Sequence, residues 1–212
     1  MVDDIDFGGG SGAEGPFLSW MARASQDGTF SGKCWIMRSK DGKDVFGGMA
    51  TGVVFDIEAL KLGWCQSDGV VGVTPNWKWN ASITRFEPKP GDDFKRGFSI
   101  PIATSQTEKA VWEQAQAGAF SAMSDLFTLI KKADRMPGHL PVVKHVGETK
   151  LESKKGMTFA PILQIVKWVP RPMVLSEGHN AAADFGGKAA PVQAAAPKEA
   201  PEKLAAASAV PF

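Results

Sequence analysis

Short alternating segments separated by turns make up much of the chain. Hydrophobic and polar positions alternate over 17–24 and again over 33–39, with a Gln-Asp-Gly turn signal at 26–28 between them. Two alternating runs joined by such a turn predict a β-hairpin. A further turn signal, Asp41-Gly42, follows the second run.

More strands are predicted downstream because β-branched and aromatic residues are enriched there, as on a pleated surface. Proline and glycine separate many of these segments, for example at Pro75 and at 88–91. The predicted strands are 50–57, 70–73, 76–85, 95–103, 142–146 and 159–169. Short strands at this spacing predict a mainly β domain built as a small barrel or a sandwich.

One segment has a helical period instead. From 117 to 132, Phe120, Met123, Phe127 and Ile130 recur at steps of three and four, which predicts an amphipathic helix. Two lysines end the segment, where the helix dipole favours positive charge. Its start is open, because 110–114 fits either a strand or an earlier helical turn.

Composition divides the chain into three parts. Residues 1–15 are acidic and Gly-rich and are expected to form a flexible arm, whereas 16–172 contain the predicted domain. Residues 173–212 are rich in Ala and Pro and end in Val-Pro-Phe, so we expect a disordered tail.

The near-neutral charge of the whole chain conceals a basic body. Residues 16–172 carry 21 Lys and Arg against 15 Asp and Glu, a net charge of +6, while the arm carries −4. Such an excess favours an anionic partner, although ordinary solubility explains it equally well.

The cysteines and hydrophobic runs bear on the compartment. Cys34 and Cys65 are the two cysteines, and they form neither a disulfide framework nor a repeated metal motif. Neither a secretory signal nor an apolar run long enough for a membrane helix is present. We therefore expect a cytoplasmic protein without a membrane partner.

Candidate catalytic groups are few. His139 and His145 would need more ligands than a nearby Glu148 to hold a metal, and surface histidines are the simpler interpretation. Asp92-Asp93 is typical of a solvated turn, and Gly8–Gly12 lacks the Lys-Ser/Thr ending of a phosphate loop. We expect a non-enzymatic protein that uses neither cofactor nor metal.

The aromatic residues carry the clearest functional signal, with seven tryptophans and no tyrosine. In a strand, Trp77 and Trp79 share one face while Lys78 takes the other, so the two rings are either core residues or an exposed stacking surface. Rings beside Lys and Arg suit single-stranded nucleic acid, because bases stack on the rings while cations follow the phosphates. The candidate nucleic-acid-binding residues are Trp35, Arg38, Trp77, Lys78, Trp79, Arg85, Phe86, Phe94, Lys95, Arg96 and Phe98. The remaining tryptophans, Trp20, Trp64, Trp112 and Trp168, are assigned to the core.

Four short motifs give the chain a family resemblance. They are G-V-V-F-D-I at 52–57, L-K-L-G-W at 60–64, W-K-W-N-A-S at 77–82 and K-R-G-F at 95–98. With these motifs the chain resembles the single-stranded DNA-binding proteins of bacteriophages. The resemblance spans about 15–170 and implies an oligonucleotide-binding (OB) barrel. With the helix that the period predicts inserted, we expect an OB-like domain over 16–172. The resemblance also implies sequence-tolerant binding and protection of single-stranded DNA during replication or recombination, in the host cytoplasm.

The end of the tail is similar to that of bacterial single-stranded DNA-binding proteins. Val210, Pro211 and Phe212 form a candidate docking peptide for replication or recombination proteins, but alanines rather than acids precede them. The acids lie instead at Asp3, Asp4 and Asp6, where we expect the arm to compete with DNA for the basic groove.

Two other functions stay open: a structural or adaptor protein that binds a protein partner through the β domain and tail, and a nucleic-acid enzyme. Self-association into a homo-oligomer is also open.

Overall fold

A computed structural model describes residues 15–67, 75–153 and 156–176. Ten strands, two α-helices and a short 3₁₀ helix at Met173–Leu175 account for the regular structure of this part of the chain. The strands are β1 Phe17–Met21, β2 Cys34–Ser39, β3 Gly42–Val45, β4 Val53–Phe55, β5 Lys61–Gln66, β6 Asn76–Trp79, β7 Lys95–Ala103, β8 Lys109–Gln114, β9 His139–Ser153 and β10 Gly156–Pro170. The helices are α1 Gly48–Thr51 and α2 Ala117–Lys132.

All ten strands belong to one sheet, whose main path runs β10-β9-β4-β7-β8-β1-β2-β3. The strand β7 is its centre: its first half pairs with β5, its second half with β4, and most of its length with β8. Off the main path, β6 extends the sheet by pairing with β5. Every described pairing is antiparallel except that of β1 with β8.

The sheet curls, which brings strands far apart in the order close together. The indole Nε1 of Trp20 on β1 donates a hydrogen bond to the carbonyl of Phe159 on β10 at 2.9 Å, and Arg23 donates to the carbonyl of Met157. The result is a half-barrel, as expected for a mainly β, OB-like small barrel with one inserted helix.

Tryptophans fill the interior of this half-barrel. Trp20, Trp35 and Trp112 are all at most 3% exposed, and the ring of Trp35 meets Trp112 edge-to-face at 4.8 Å. Two of the three are hydrogen-bonded inside the core: the Gln114 side chain accepts from the Trp112 indole and joins both backbone groups of Trp20. Such satisfied buried polar groups fix one arrangement of the rings. The buried indole Nε1 of Trp35 has no hydrogen-bond partner among the described residues.

The helix α2 has the predicted bounds and packs on β10. Met123 and Ile130 are buried as the period predicts, while Phe120 and Phe127 lie partly buried at the edge of the core. Gly118 allows the close approach, because a Cβ there would lie 2.4 Å from the carbonyl oxygen of Phe159. The segment before the helix is a strand, β8, which settles the open question of where the helix starts.

A partly buried ion network connects β4 to the end of the domain. Asp56, which is 1% exposed, and Glu58 follow β4 and both accept hydrogen bonds from the guanidinium of Arg171, just after β10. Arg135, beyond α2, lies 3.7 Å from Glu58. The two carboxylates raise the pKa of Arg171, against the opposing effect of burial.

Several predicted strands differ from the observed ones. The prediction over 50–57 merged the end of α1 with β4, and the strand predicted at 76–85 ends at Trp79. The two strands predicted at 142–146 and 159–169 are parts of one longer hairpin, β9–β10. The 70–73 segment, most of the acidic arm and nearly all of the tail lie outside the described residues.

No helix among the described residues is both long and apolar enough to cross a membrane.

Candidate nucleic-acid interface

The strands β5, β6 and the first half of β7 form a three-stranded ribbon beside the barrel. In its register, Trp64 of β5 lies between Lys78 of β6 and Arg96 of β7. Directly paired residues share a face, so these three side chains lie on one side of the ribbon. Phe98 of β7 is two residues from Arg96 and is fully buried, which identifies this side as the core face.

The opposite, outer face carries Trp77 and Trp79, called here the tryptophan pair. The two rings are stacked almost parallel, with centroids 4.4 Å apart and an interplanar angle of 7°. Both side chains are half-buried, and neither belongs to the barrel core. The alternation predicted from the sequence is confirmed, and the pair lies on the side away from the core.

Two glycines make room for the tryptophan pair. Gly63 and Gly97 lie opposite each other on β5 and β7, beneath the rings. A Cβ at Gly63 would lie 2.9 Å from the Trp79 ring, and one at Gly97 would lie 2.5 Å from the Trp77 ring. Glycine inside a strand often marks such a close approach.

Substituting Gly97 tests this arrangement. We expect Gly97→Ala to displace the Trp77 ring and to break the stack, because the added methyl group occupies its place. The near-ultraviolet circular dichroism of the tryptophans should change, while a cooperative thermal unfolding transition shows that the domain still folds. Gly47→Ala is the control, since a Cβ at Gly47 meets nothing within 4 Å and its φ of −77° suits alanine. An unchanged near-ultraviolet spectrum for Gly97→Ala would contradict the proposed role of Gly97.

The core face of the ribbon carries cations that rest on aromatic rings. The Arg96 guanidinium lies 4.9 Å from the Phe86 ring centroid and 5.6 Å from that of Trp64. Phe86 in turn meets the Trp64 ring edge-to-face at 5.5 Å. The Lys78 amine lies 5.2 Å from the centroid of Phe94.

Hydrogen bonds within the loop after β6 hold Phe86 in this position. The Asn80 side-chain oxygen accepts from the Glu87 amide at 3.4 Å, and the Glu87 carboxylate accepts from the Ala81 amide at 3.1 Å. The Glu87 carbonyl also accepts from the Trp64 indole at 3.0 Å. The loop is therefore fastened to the ribbon.

The ribbon and this loop bring together most of the predicted nucleic-acid-binding residues. Lys78, Arg85, Lys95 and Arg96 are exposed, and Phe86 is half-buried. Those brought together are Trp77, Lys78, Trp79, Arg85, Phe86, Phe94, Lys95 and Arg96. Of these, Phe94 is 8% exposed and serves as a support for Lys78 rather than as an open ring.

Three predicted site residues do not join this surface. Trp35 is 3% exposed and Phe98 fully buried, so both rings belong to the barrel core and cannot stack on a base. Arg38 lies on β2, which β8 and β1 separate from β7. The predicted roles of Trp35 and Phe98 are corrected: Trp35 lies in the barrel core, and Phe98 is a buried residue of β7 within the ribbon. Arg38 lies away from the ribbon, and its contact with nucleic acid stays a prediction.

Sequence reasoning missed the supporting residues of the ribbon. Trp64 is buried, as its assignment to the core predicts; its contacts with Phe86 and Arg96, outside the main core cluster, were not predicted. The glycines in L-G-W at 62–64 and R-G-F at 96–98 were a usable signal, because each interrupts a strand next to an aromatic residue. The parts played by Asn80 and Glu87 depend on loop geometry that no local pattern specifies.

Cys65 lies on the outer face of the ribbon, paired with Trp77. Burial, with a smaller contribution from the charge of Glu113, raises the pKa of its thiol to about 11, and Lys95 opposes the shift. Because the folded-state pKa is raised, the associated stability is present at neutral pH and is lost as the pH rises through about 11.

This shift predicts slow alkylation of Cys65. In Cys34→Ser, which leaves Cys65 as the one cysteine, we expect iodoacetamide at pH 8 to react on the order of a hundredfold more slowly in the native state than in urea, because thiolate is scarce. Mass spectrometry against time measures both rates. Equal rates in the two solvents would contradict the burial of this thiol.

The described residues bring together no group of three or more His, Cys, Asp or Glu side chains able to hold a metal. His145 is not the surface histidine expected, since its side chain is 16% exposed and its ring packs against Trp20 at 5.3 Å. The histidine at 179 lies outside the described residues.

No family model, curated protein or solved structure matches this chain. The likeness to bacteriophage single-stranded DNA-binding proteins therefore stays a prediction from short motifs. The geometry of the ribbon has to support any assignment of function.

Proposed function

We propose that this protein is a non-enzymatic, sequence-tolerant binder of single-stranded DNA, and that the ribbon with its following loop is the binding surface. The observation that carries the proposal is the tryptophan pair, stacked and half-buried on the outer face. The proposal extends to strand protection during replication or recombination, in the cytoplasm of a phage-infected host.

The tryptophan pair suits nucleobases for a physical reason. Indole rings offer flat apolar surfaces, and base stacking on aromatic side chains contributes about 1–3 kcal/mol per base without hydrogen-bond selection of sequence. A sheet face that holds two such rings parallel has already lost the entropy of ordering them. Bases of an unpaired strand can stack there, whereas those of a duplex are already stacked with one another.

The charges around the pair support the same ligand. Lys78, Arg85, Lys95 and Arg96 form no ion pair with another residue of the described ranges. Cations that are not neutralised by carboxylates are available to phosphates. If all four contact phosphates, log affinity should fall with log salt at a slope of about −3, from about −0.7 per contact on a single strand.

A fluorescence titration tests the proposal. Oligo-dT of about 30 nucleotides exceeds the roughly 4–16 nucleotides that one OB fold covers. We expect this strand to quench tryptophan emission at low salt, a duplex of the same length to have little effect, and added salt to reverse the quenching. Titration with an RNA strand of the same length shows whether the protein distinguishes ribose from deoxyribose. Absence of quenching and of co-migration at micromolar protein would contradict single-strand binding.

An adaptor function is the second candidate, because the β9–β10 hairpin exposes apolar side chains. Val146, Ile162 and Val166 are 49%, 44% and 54% exposed. Exposed apolar groups on a sheet favour contact with protein rather than with phosphate. A protein partner whose binding is insensitive to salt, together with a silent oligo-dT titration, would support this function instead.

A further inference from the structure

We infer that Arg96 and Lys78 form a phosphate subsite on the core face of the ribbon, opposite the tryptophan pair. A bound single strand would then stack its bases on the outer face and pass over the edge of β6 to place phosphates on the core face. This inference rests on the proposed function and adds the route of the strand and the chemistry of its second contact.

The setting of Arg96 indicates an anion as its ligand. The guanidinium lies over two rings, Phe86 and Trp64. The carboxylate of Glu87, in the loop that contains Phe86, accepts a hydrogen bond from the Ala81 amide. A guanidinium held by aromatic faces keeps its N–H donors at the rim, in the fork that matches phosphate oxygens. Within the described part of the chain, Arg96 is therefore oriented by aromatic rings and forms no ion pair.

Lys78 supplies a second cation on the same face. Both residues pair with Trp64 in the register, one from each side. Neighbouring strands are about 4.8 Å apart, so the two backbones are separated by about 10 Å. One nucleic-acid backbone can therefore contact both cations. The exposed Asp92 and Asp93 form no ion pair with either of them within the described ranges.

The position of β6 allows the strand to change faces. Among the described strands, β6 pairs with β5 alone, so its other side is an edge of the sheet. Consecutive residues of β6 point to opposite faces, which puts Lys78 directly across the sheet from the tryptophan pair. The shortest route between the two sets of contacts crosses this edge.

A DNA strand without bases distinguishes the phosphate contact on the core face from the stacking contact on the outer face, because it can make only the first. Binding of labelled oligo-dT and of a base-free strand of equal length, built from tetrahydrofuran abasic units, is measured by fluorescence anisotropy at several salt concentrations. The variants are Arg96→Gln, Arg96→Lys, Lys78→Gln and, as a control for the loss of an exposed cation, Lys40→Gln in the β2–β3 turn. Thermal melting verifies that each variant folds.

We expect Arg96→Gln to lower the affinity for both strands about tenfold, as for the loss of a charge-assisted hydrogen bond. The salt slope should fall by about 0.7 for each cation removed. Arg96→Lys should keep the slope and lose part of the affinity, because the fork is lost while the charge remains. Lys40→Gln should behave as the wild type. Trp79→Ala should lower the affinity for oligo-dT and leave the affinity for the base-free strand unchanged.

Two results would overturn the inference, and they have different consequences for the proposed function. If the wild type binds oligo-dT while Arg96→Gln and Lys78→Gln keep its affinity and slope, the phosphate subsite is wrong and the proposed function stands. If the wild type binds neither strand, both the subsite and the proposed function are wrong.

Discussion

Replacing both Trp77 and Trp79 by alanine is expected to weaken oligo-dT binding by about 2–6 kcal/mol, from about 1–3 kcal/mol for each stacked base. The loss follows because the double variant removes both flat surfaces of the outer face while the surrounding cations stay. Fluorescence anisotropy of a labelled oligonucleotide measures the affinity. The salt slope should be unchanged, since no phosphate contact is lost.

The controls for this variant separate stacking from folding. Trp77→Phe with Trp79→Phe keeps two aromatic faces and should recover most of the affinity. Trp168→Ala removes another half-buried tryptophan, one that packs against the core from β10, and should lower stability without changing the affinity of the folded protein. Full affinity in the Trp77/Trp79 alanine variant would rule out the tryptophan pair as the binding surface.

Arg171→Ala should destabilise the domain by about 3–5 kcal/mol, the usual cost of removing one partner from a buried ion pair. The reason is that Asp56 is 1% exposed and would keep a buried charge without its cation. Urea unfolding followed by far-ultraviolet circular dichroism gives the free energy of unfolding. Because the network lies after β4 and β10, away from the ribbon, DNA affinity of the folded variant should not change.

A surface ion pair provides the comparison for Arg171. Lys150 and Glu152 form a salt bridge with side chains 53% and 75% exposed, so Lys150→Ala should cost at most about 1 kcal/mol. The double variant Asp56→Asn with Arg171→Gln should recover part of the loss, because no buried charge remains. If Arg171→Ala costs no more than Lys150→Ala, the network does not hold the end of the domain.

The parts of the fold that could be predicted are those whose pattern is long and regular. The helix α2 and the strand β7 have the bounds expected from the sequence, since sixteen and nine residues of consistent pattern leave little freedom. The strand β4 has three residues, too few for alternation to mark its start after α1. The β9–β10 hairpin is longer than predicted, because backbone pairing continues through mostly polar residues that show no hydrophobic alternation.

The sequence predicts which residue types the candidate site contains, but not which of these side chains lie at the surface. Trp35 and Trp77 both lie in strands within three residues of Lys or Arg, yet Trp35 is in the core and Trp77 on the outer face. Local alternation shows which residues share a face, but the neighbouring strands decide which face is covered. That pairing depends on contacts distant in sequence, such as Trp64 with Arg96.

The stack of the tryptophan pair has an optical consequence. Two indoles 4.4 Å apart and nearly parallel couple their electronic transitions, so the pair should contribute an exciton couplet to the far-ultraviolet circular dichroism spectrum. A base that inserts between the rings would abolish the couplet, whereas a base that stacks on the outside of the pair would preserve it. The spectrum of the complex thus distinguishes intercalation from end stacking without a label.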